Sequence, residues 1–363
     1  MAGVLNCHHQ GRLVVPDEVS LFCGMIPIGI PLMRPLLFTT IMVLFFFSCG
    51  EEVQNTLHIS GPAQGTTYNI TYVAGAYANY RQEIDSIFST IDGSLSTYQP
   101  GSIISRINRN EPAALDTHFI AVCHRAKEVF ERTEGLFDPT VAPLVNAYGF
   151  GFKKKEDVTP HRIDSLKKII GFRHVRIEGD KLFKDFPEVT LDFNAIAPGY
   201  TVDVLAAFLE KKGIKHYLIE LGGEVRSKGK RLDGSAWTLG IEQPEEDPSE
   251  GVRLHSRIPL GDLALATSGN YKNFYLENGK KYSHIIDPVS GYPAKNSLLS
   301  ATVIAPDCTT ADAYATAFMI MGLQKAQQFL EAHAHLGLSV FFIYDHEGTT
   351  KTWASPDFPA PVE

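Results

Sequence analysis

The sequence predicts an α+β fold, and two observations carry this prediction. Segments with the 3.6-residue period of helices and segments with the alternation of strands are mixed along the chain, without the regular βα repetition of a doubly wound sheet. The chain also has 363 residues, of which 44% are hydrophobic, and this is ample for a large core in one domain or two subdomains. We therefore expect mixed helices and sheets.

Each predicted element rests on its periodicity and on the residues that end it. The first strand region spans 56–73 and alternates, with a turn placed at Gly61-Pro62. Further strands are predicted at 214–221, before a Gly222-Gly223 turn, and at 237–241, 263–267, 300–304 and 338–344. Helices are predicted at 80–91, 116–134, 200–212, 310–321 and 324–334. The first four helices end at Gly93, Gly135, Gly213 and Gly322, because glycine readily closes a helix.

Charge and cysteine content exclude two classes of protein. The formal net charge is -8 and no dense Lys/Arg stripe is present, so we expect no nucleic-acid partner, since binding phosphates requires clustered cations. The five cysteines form no C-x-x-C pair and are too few for a disulfide scaffold. Cys123 and Cys308 lie in the body of the chain; they are free to pair in an oxidising compartment, but no feature of the sequence requires it.

The N-terminal region has the pattern of a secretory signal. Residues 35–48 are apolar and uncharged, follow Met33-Arg34 and are shorter than the roughly 20 residues of a membrane-spanning helix. The run ends in Ser48-Cys49-Gly50, which resembles a bacterial lipobox, so Cys49 is the predicted lipidation site. The alternative is an uncleaved N-terminal anchor. Either interpretation places the body outside the cytoplasm, attached to a membrane.

These observations predict three segments. Residues 1–32 resemble neither a signal nor a domain, and we interpret them as an upstream extension of the reading frame, with Met33 as the true start. Residues 33–49 form the lipoprotein signal peptide, and residues 50–363 form the mature domain. Common nucleotide and hydrolase motifs are absent from the sequence, including G-x-x-x-x-G-K-[ST], G-x-G-x-x-G after a strand, G-x-S-x-G and H-E-x-x-H.

One constellation has the chemistry of a metal site. Asp312 and Thr316 are four residues apart on a predicted helix, so that both side-chain oxygens project from one face. A carboxylate and a hydroxyl suit Mg²⁺ when substrate phosphates complete its shell. Spacing alone also fits an aspartate favoured by the helix dipole, with Thr316 packing inward.

Two other segments have patterns of anion binding or proton transfer. Asp192 precedes a turn that contains Pro198-Gly199 and leads into a helix; it is either an anion cradle or an ordinary strand-to-helix turn. Thr267 and Ser268 end a strand and are followed by His284 beside an Asp-Pro turn. Hydroxyls and a histidine suit phosphate contact or proton transfer, although a single histidine also fits a structural role.

Seven ordered blocks resemble the ApbE family, the FAD:protein FMN transferases, from about residue 65 to residue 323. The blocks are Gly65-Thr66-Thr67-Tyr68; Ser96-Thr97-Tyr98 with Ser102, Ser105 and Asn108; the segment 135–144, GLFDPTVAPL; Leu191-Asp192 with Gly199-Tyr200 and Asp203; Gly222-Gly223-Glu224; Ala266-Thr267-Ser268-Gly269 with His284-Ile285-Ile286-Asp287-Pro288 and Gly291; and Ala311-Asp312-Ala313 with Thr316. The resemblance implies an ApbE-like, T-fold-like architecture of two subdomains, with FAD in the cleft.

The resemblance also implies residue roles. FAD would be the substrate and Mg²⁺ the cofactor, held by the side chains of Asp312 and Thr316 and by the backbone oxygen of Ala195. The nucleotide pocket would be formed by Tyr98 at the flavin, by Leu136, Phe137, Asp138 and Asp192, and by Thr267, Ser268, Pro198 and His284, with His284 near the pyrophosphate. Many family members have a polar side chain where this chain has Pro198, which has no hydrogen-bond donor.

The implied reaction is the transfer of FMN from FAD to a Thr or Ser hydroxyl of an acceptor protein, with release of AMP. The acceptor would be an extracytoplasmic redox subunit with a short flavinylation motif. The base for the hydroxyl would be Asp312 or His284. The rival interpretations are an FAD pyrophosphatase that uses water, a lipid-anchored FAD-binding protein without turnover, and a structural envelope lipoprotein.

Overall fold

The computed structural model describes residues 53–75, 78–150, 156, 158–243, 253–269, 274–277, 280–283 and 285–362. The predicted N-terminal extension, signal peptide and Cys49, as well as His284, lie outside these residues. The range 53–363 is one compact unit. The predicted α+β class is confirmed.

An antiparallel sheet of eight strands runs through this unit, in the order β1-β2-β5-β6-β9-β12-β13-β14. Its strands are β1 (Gln54–Ala63), β2 (Thr66–Gly75), β5 (Tyr217–Leu221), β6 (Glu224–Lys228), β9 (Ala264–Gly269), β12 (Leu298–Ala305), β13 (Ser339–His346) and β14 (Thr349–Ala354). The described residues also form three two-stranded sheets: β3–β4 (Val175–Glu178, Lys181–Lys184), β7–β8 (Thr238–Glu242, Leu254–Pro259) and β10–β11 (Phe274–Glu277, Lys280–Ser283).

The described helices are α1 (Arg81–Leu95), α2 (Ile103–Asn108), α3 (Thr117–Arg132), α4 (Ala142–Ala147), α5 (Pro160–Lys167), α6 (Ala197–Lys211) and α7 (Cys308–Ala332). β-Strands place alternate side chains on opposite faces, so both faces of the sheet can be packed. Helices cover one face, and the β7–β8 hairpin covers part of the other. On β5, for example, the pattern is strict: Tyr217, Ile219 and Leu221 are buried among α1 and α6 residues. Ile241 and Ile258 of β7–β8 pack against Val225 and Leu265 of the sheet.

The ladder between β6 and β9 is the shortest in the large sheet. It contains two residue pairs, Val225 with Leu265 and Arg226 with Ala264. On one side the strands β1, β2, β5 and β6 are joined by longer ladders, and on the other side β9, β12, β13 and β14 are. The sheet therefore consists of two four-stranded halves that meet at a short seam.

Two predicted boundaries are wrong. The turn of the first hairpin lies at Gln64-Gly65, whose positive φ angles of 51° and 76° give the backbone of a tight two-residue turn. Gly61 and Pro62 are paired residues of β1, where proline is tolerated because β1 is an edge strand. Helix α1 also continues through Gly93, because Ser94 and Leu95 are buried and packing outweighs the cost of one glycine.

Other predicted ends are confirmed. Gly135 and Gly213 have positive φ angles of 84° and 83° and follow α3 and α6. The Gly222-Gly223 turn joins β5 to β6 with φ angles of 64° and 113°. At Gly322 (φ 73°, ψ 169°) the backbone of α7 leaves the helical conformation, so the two helices predicted on either side of Gly322 are two segments of α7.

Candidate active site

A cavity of about 1160 Å³ lies among the loops that precede α2, α4 and α6, the β5–β6 turn, the end of β9 and the first half of α7. It brings together ten of the residues predicted from the sequence: Tyr98, Leu136, Phe137, Asp138, Asp192, Ala195, Thr267, Ser268, Asp312 and Thr316. Pro198 does not line the cavity, and His284 lies outside the described residues. Tyr98 is 71% exposed, so its ring lies on the open side.

Phe137 and Asp138 are held by two threonine side chains, Thr133 at the end of α3 and Thr140 shortly before α4. The Phe137 amide donates to Oγ1 of Thr133 at 3.1 Å. The carboxylate of Asp138 accepts from the amide (2.9 Å) and the hydroxyl (2.7 Å) of Thr140. Burial raises the pKa of Asp138, and the two Thr140 hydrogen bonds oppose this rise. Asp138 is therefore a buried carboxyl with a fixed orientation at the cavity wall.

Asp192 lies on the neighbouring wall. Its amide donates to the carbonyl of Pro139 at 2.8 Å, which ties the segment before α6 to the segment before α4. Its Oδ1 accepts from the Asn194 amide at 2.8 Å. Burial raises the pKa of Asp192 and the Asn194 hydrogen bond opposes the rise. The two predicted nucleotide-binding segments are therefore joined directly.

Asp312 lies where α7 meets the start of α6. Its Oδ2 accepts from the Gly199 amide at 3.0 Å. The two helices approach so closely that a Cβ atom on Gly199 would lie 2.4 Å from the Cys308 carbonyl oxygen and 2.8 Å from the Asp312 Cβ. Such distances exclude every other residue type at this position without a shift of the backbone, so Gly199 allows the contact that holds Asp312.

Hydroxyl groups continue the site from Asp312 towards the sheet. Thr316 lies one turn further along α7, and its Oγ1 is 3.2 Å from Oγ of Ser268 on β9. Thr267 points to the other side of β9, where its hydroxyl is 2.9 Å from that of Thr302 on β12. Ser268 is thus the predicted hydroxyl that directly contacts Thr316.

The start of α6 is not an anion cradle. The Ala197 amide donates to the Phe193 carbonyl at 2.7 Å, Pro198 has no amide hydrogen, and the Gly199 amide donates to Asp312. The first amides of this helix are therefore used within the chain, and the chain's own carboxylate occupies the place where a phosphate would bind. Of the two interpretations of this segment, the structure supports the ordinary turn.

The start of α7 is occupied in the same way. Asp203 of α6 accepts from the amides of Cys308 (2.9 Å) and Thr309 (2.8 Å) and forms an ion pair with Arg226 of β6. The Asp307 side chain accepts from the Thr310 amide at 2.8 Å. The resemblance placed Asp203 in a motif without a role. The contacts show that it positions the helix that carries Asp312.

The described cavity lining is strongly acidic. Its carboxylates are Asp138, Asp192, Glu220, Glu224, Glu242 and Asp312. Arg109 is the cationic side chain among these described lining residues, and its guanidinium pairs with Glu111 at 2.7 Å. Repulsion between carboxylates and an anionic ligand is large in a partly buried site. A pyrophosphate ligand would therefore need added positive charge.

The oxygen atoms beside Asp312 fit a hard divalent cation. The Gly199 amide donates to Asp312 and not to the Ala195 carbonyl, which an α-helix would use. This leaves the Ala195 carbonyl available on the same cavity as the Asp312 carboxylate and the Thr316 hydroxyl. The described residues contain no group of three or more His, Cys, Asp or Glu that could hold a metal ion. A mixed set of one carboxylate, one hydroxyl and one carbonyl suits Mg²⁺ bound together with substrate phosphates.

The pKa of Asp312 predicts how cation binding depends on pH. Burial raises this pKa to about 7, the Gly199 hydrogen bond opposes the rise, and the charge of Asp203 adds to it. Below that pH the carboxyl holds a proton that a cation must displace, so affinity for Mg²⁺ should fall by about tenfold for each pH unit. Calorimetric titration between about pH 6 and pH 8 would measure this fall. An affinity that is constant over this range would contradict the prediction.

Several lining residues were not predicted as site residues, including Thr97, Asn108, Arg109, Glu220 and Glu242. Asn108 had a signal, because Ser102, Ser105 and Asn108 recur at intervals of three and share one face of a helix.

The described part of the chain has no helix long and apolar enough to cross a membrane. Cys123 and Cys308 are both buried and unpaired.

Comparison with known proteins identifies the family of this chain. A family model described as the ApbE family matches residues 64–342. The FAD:protein FMN transferase of Vibrio cholerae is 38% identical over 335 residues, covering 90% of this chain and 98% of that protein. The FAD:protein FMN transferase of Haemophilus influenzae is 32% identical, covering 89% of this chain and 96% of that protein.

Solved structures agree with the sequence matches. The flavin transferase ApbE from Vibrio cholerae superposes with a TM-score of 0.74 at 38% identity, covering 84% of this chain and 99% of that chain. The apo form of the Pseudomonas stutzeri flavinyl transferase ApbE gives a TM-score of 0.75 at 30% identity, covering 84% and 96%. With both the ordered motifs and the fold in agreement, the chain belongs to the ApbE family.

Proposed function

We propose that this protein is an FAD:protein FMN transferase that needs Mg²⁺. The observation that carries the proposal is the acidic cavity around Asp312. Both neighbouring helix starts are occupied by aspartates of the chain, and the described lining offers only a paired arginine as a cation. An FAD pyrophosphate fits such a cavity when a divalent cation accompanies it.

The chain's residues would position both reactants of a phosphoryl transfer. A Thr or Ser hydroxyl of the acceptor forms a bond to the FMN-side phosphorus of FAD, the bond between that phosphorus and the bridging oxygen breaks, and AMP leaves. The hydroxyl proton passes to Asp312 or His284. Asp312, Thr316 and the Ala195 carbonyl would hold the cation, which would supply positive charge beside the leaving phosphate. Positioning and charge neutralisation supply most of the catalysis in such reactions.

Intact-protein mass spectrometry tests this function. An acceptor protein with a Thr-containing flavinylation motif is incubated with the purified enzyme, FAD and Mg²⁺, and its mass should increase by one FMN group. The increase should be lost with EDTA. Free FMN and AMP without a mass increase would establish the pyrophosphatase instead. FAD that stays intact while bound to the protein would establish a flavin carrier.

We also propose that the body is anchored outside the cytoplasm through a lipid on Cys49. Support comes from the apolar run at 35–48 and the Ser48-Cys49-Gly50 sequence, and from a compact unit that begins shortly after, at Val53. Mass analysis of the N-terminal peptide should find an acylated cysteine at position 49. In Cys49→Ser this acyl modification should be absent. An unmodified Cys49 in the membrane fraction would contradict lipidation.

A further inference from the structure

Helix α2 contacts two walls of the cavity through one of its faces. At its start, the Ser102 hydroxyl donates to the Ser96 carbonyl at 2.7 Å, and Ser105 makes a weaker bond to the same oxygen at 3.3 Å. These bonds hold the loop of Thr97 and Tyr98. Ser102 also accepts from the Ser105 amide at 3.1 Å and so begins the helix.

At the end of α2, Asn108 holds the opposite wall. Its Nδ2 donates to the Leu191 carbonyl at 2.8 Å, and its Oδ1 accepts from the Leu191 amide at 2.7 Å. Leu191 belongs to no sheet. The Asn108 carboxamide therefore makes the two backbone hydrogen bonds that a neighbouring strand would otherwise make. Leu191 directly precedes Asp192. Nearby, the Lys184 ammonium donates to the carbonyls of Ile107 (3.0 Å) and Val189 (2.8 Å) and reinforces the same junction.

We propose that α2 is a positioning bracket for the ligand cavity, and that Asn108 is its main positioning residue. It fixes the wall of Asp192 at a constant distance from the loop of Tyr98. Asn108 also lines the cavity, so displacement of its side chain alters the space for the ligand. The proposal rests on FAD as the ligand, as proposed above. It predicts an effect on FAD binding and not on cation binding, because Asp312 and Thr316 lie on α7.

Asn108→Asp tests the bracket because it preserves shape and removes one donor. An ionised carboxylate has no hydrogen to donate, so two oxygen atoms would face each other at the Leu191 carbonyl. The loss of this hydrogen bond should displace the cavity wall and raise the dissociation constant for FAD by about 10- to 100-fold at about pH 8. kcat at saturating FAD should change little, since the lost interaction is ground-state binding. The dissociation constant for Mg²⁺ should not rise, because the proposed ligands lie on other elements and an added carboxylate attracts a cation.

Acidification provides a readout that general destabilisation would not give. A protonated aspartic acid has one donor and one acceptor, so it restores both bonds to Leu191. The ratio of variant to parent dissociation constants should therefore fall towards one between about pH 8 and pH 5, since burial raises the pKa of the new carboxyl. Taking the ratio cancels the titration of Asp312, which both proteins share.

Asn110→Asp is the matched control. This substitution introduces the same charge two positions away. The Asn110 side chain donates to the Pro187 carbonyl at 3.1 Å, but Asn110 does not line the cavity. It should leave FAD affinity within about threefold of the parent. An Asn108→Asp variant that binds FAD like the parent at pH 8, or that does not recover on acidification, would overturn the proposal.

A ligand-free measurement separates this inference from the proposed function. In Asn108→Ala, hydrogen exchange at the Leu191 amide should become faster by at least about tenfold, since that amide loses its acceptor. Unchanged exchange would overturn the bracket whatever the protein binds. A parent protein that does not bind FAD at all would contradict the proposed function, while the exchange result would still decide whether Asn108 holds this wall.

Discussion

Asp312→Asn is expected to lower kcat/KM for FMN transfer by at least about 10³-fold, because a cation that neutralises a pyrophosphate supplies several kcal/mol. Asparagine keeps the shape and can still accept from the Gly199 amide, but it has no charge to hold Mg²⁺. The variant should fold. In the parent, burial raises the pKa of Asp312 from its ordinary value to about 7, so the stability of the cation-free protein falls as the pH rises between these two values, and the full cost is present above about pH 7. Removal of the ionised carboxyl should leave the melting temperature unchanged or raise it.

The measurements are transfer rate, Mg²⁺ affinity and the increase in melting temperature that Mg²⁺ produces. Asp307→Asn is the matched control, because Asp307 is the N-cap residue of the helix that carries Asp312 and asparagine also caps helices well. The control should retain all three properties. Cation-dependent transfer by Asp312→Asn at the parental rate would show that the cation binds elsewhere.

Gly199→Ala is expected to have the second largest effect, and it acts through packing. The added methyl group would lie 2.4 Å from a backbone oxygen and 2.8 Å from the Asp312 Cβ, and neither atom belongs to a flexible side-chain end. The two helices must separate, at a cost of about 1–3 kcal/mol or more, and the bond from residue 199 to Asp312 must lengthen. We expect a lower melting temperature and a loss of transfer activity of about 10²-fold.

Gly93→Ala serves as the control for Gly199→Ala. Gly93 lies inside α1, and a Cβ there meets no atom within 4 Å. Alanine favours helices over glycine by up to about 1 kcal/mol, so the control should be as stable as the parent or more stable, with full activity. A Gly199→Ala variant with parental stability and activity would show that the contact between α6 and α7 is looser than the structure indicates.

The sequence was most informative where local signals agree with the fold. Helix α3 begins after Asp116, whose side chain accepts from the Phe119 amide, and ends before Gly135, as its capping residues predict. The short helices α2, α4 and α5 were not predicted, because six to eight residues carry too few turns to show a period. The turn at Gln64-Gly65 was missed because the adjacent Gly61-Pro62 has the stronger local signal.

For the site, the order of motifs predicted which residues would meet, but not how they are held. Asn108 and Leu191 are 83 residues apart, and Asp203 and Cys308 are 105 residues apart. No periodicity links such pairs, so their hydrogen bonds follow only from the tertiary structure. The start of α6 is an example. A glycine turn before a helix fits a phosphate-binding site, but in the structure the Gly199 amide donates to the Asp312 carboxylate.

The short ladder between β6 and β9 has a mechanical consequence. The cavity takes Gly222, Gly223 and Glu224 from one half of the sheet and Thr267 and Ser268 from the other, so it spans the seam. A ladder of two residue pairs resists separation less than the longer ladders beside it, and the clamp of Asp203 on α7 crosses the same junction. A ligand that contacts both halves would therefore add contacts across the shortest ladder of the sheet and make separation of the two halves harder.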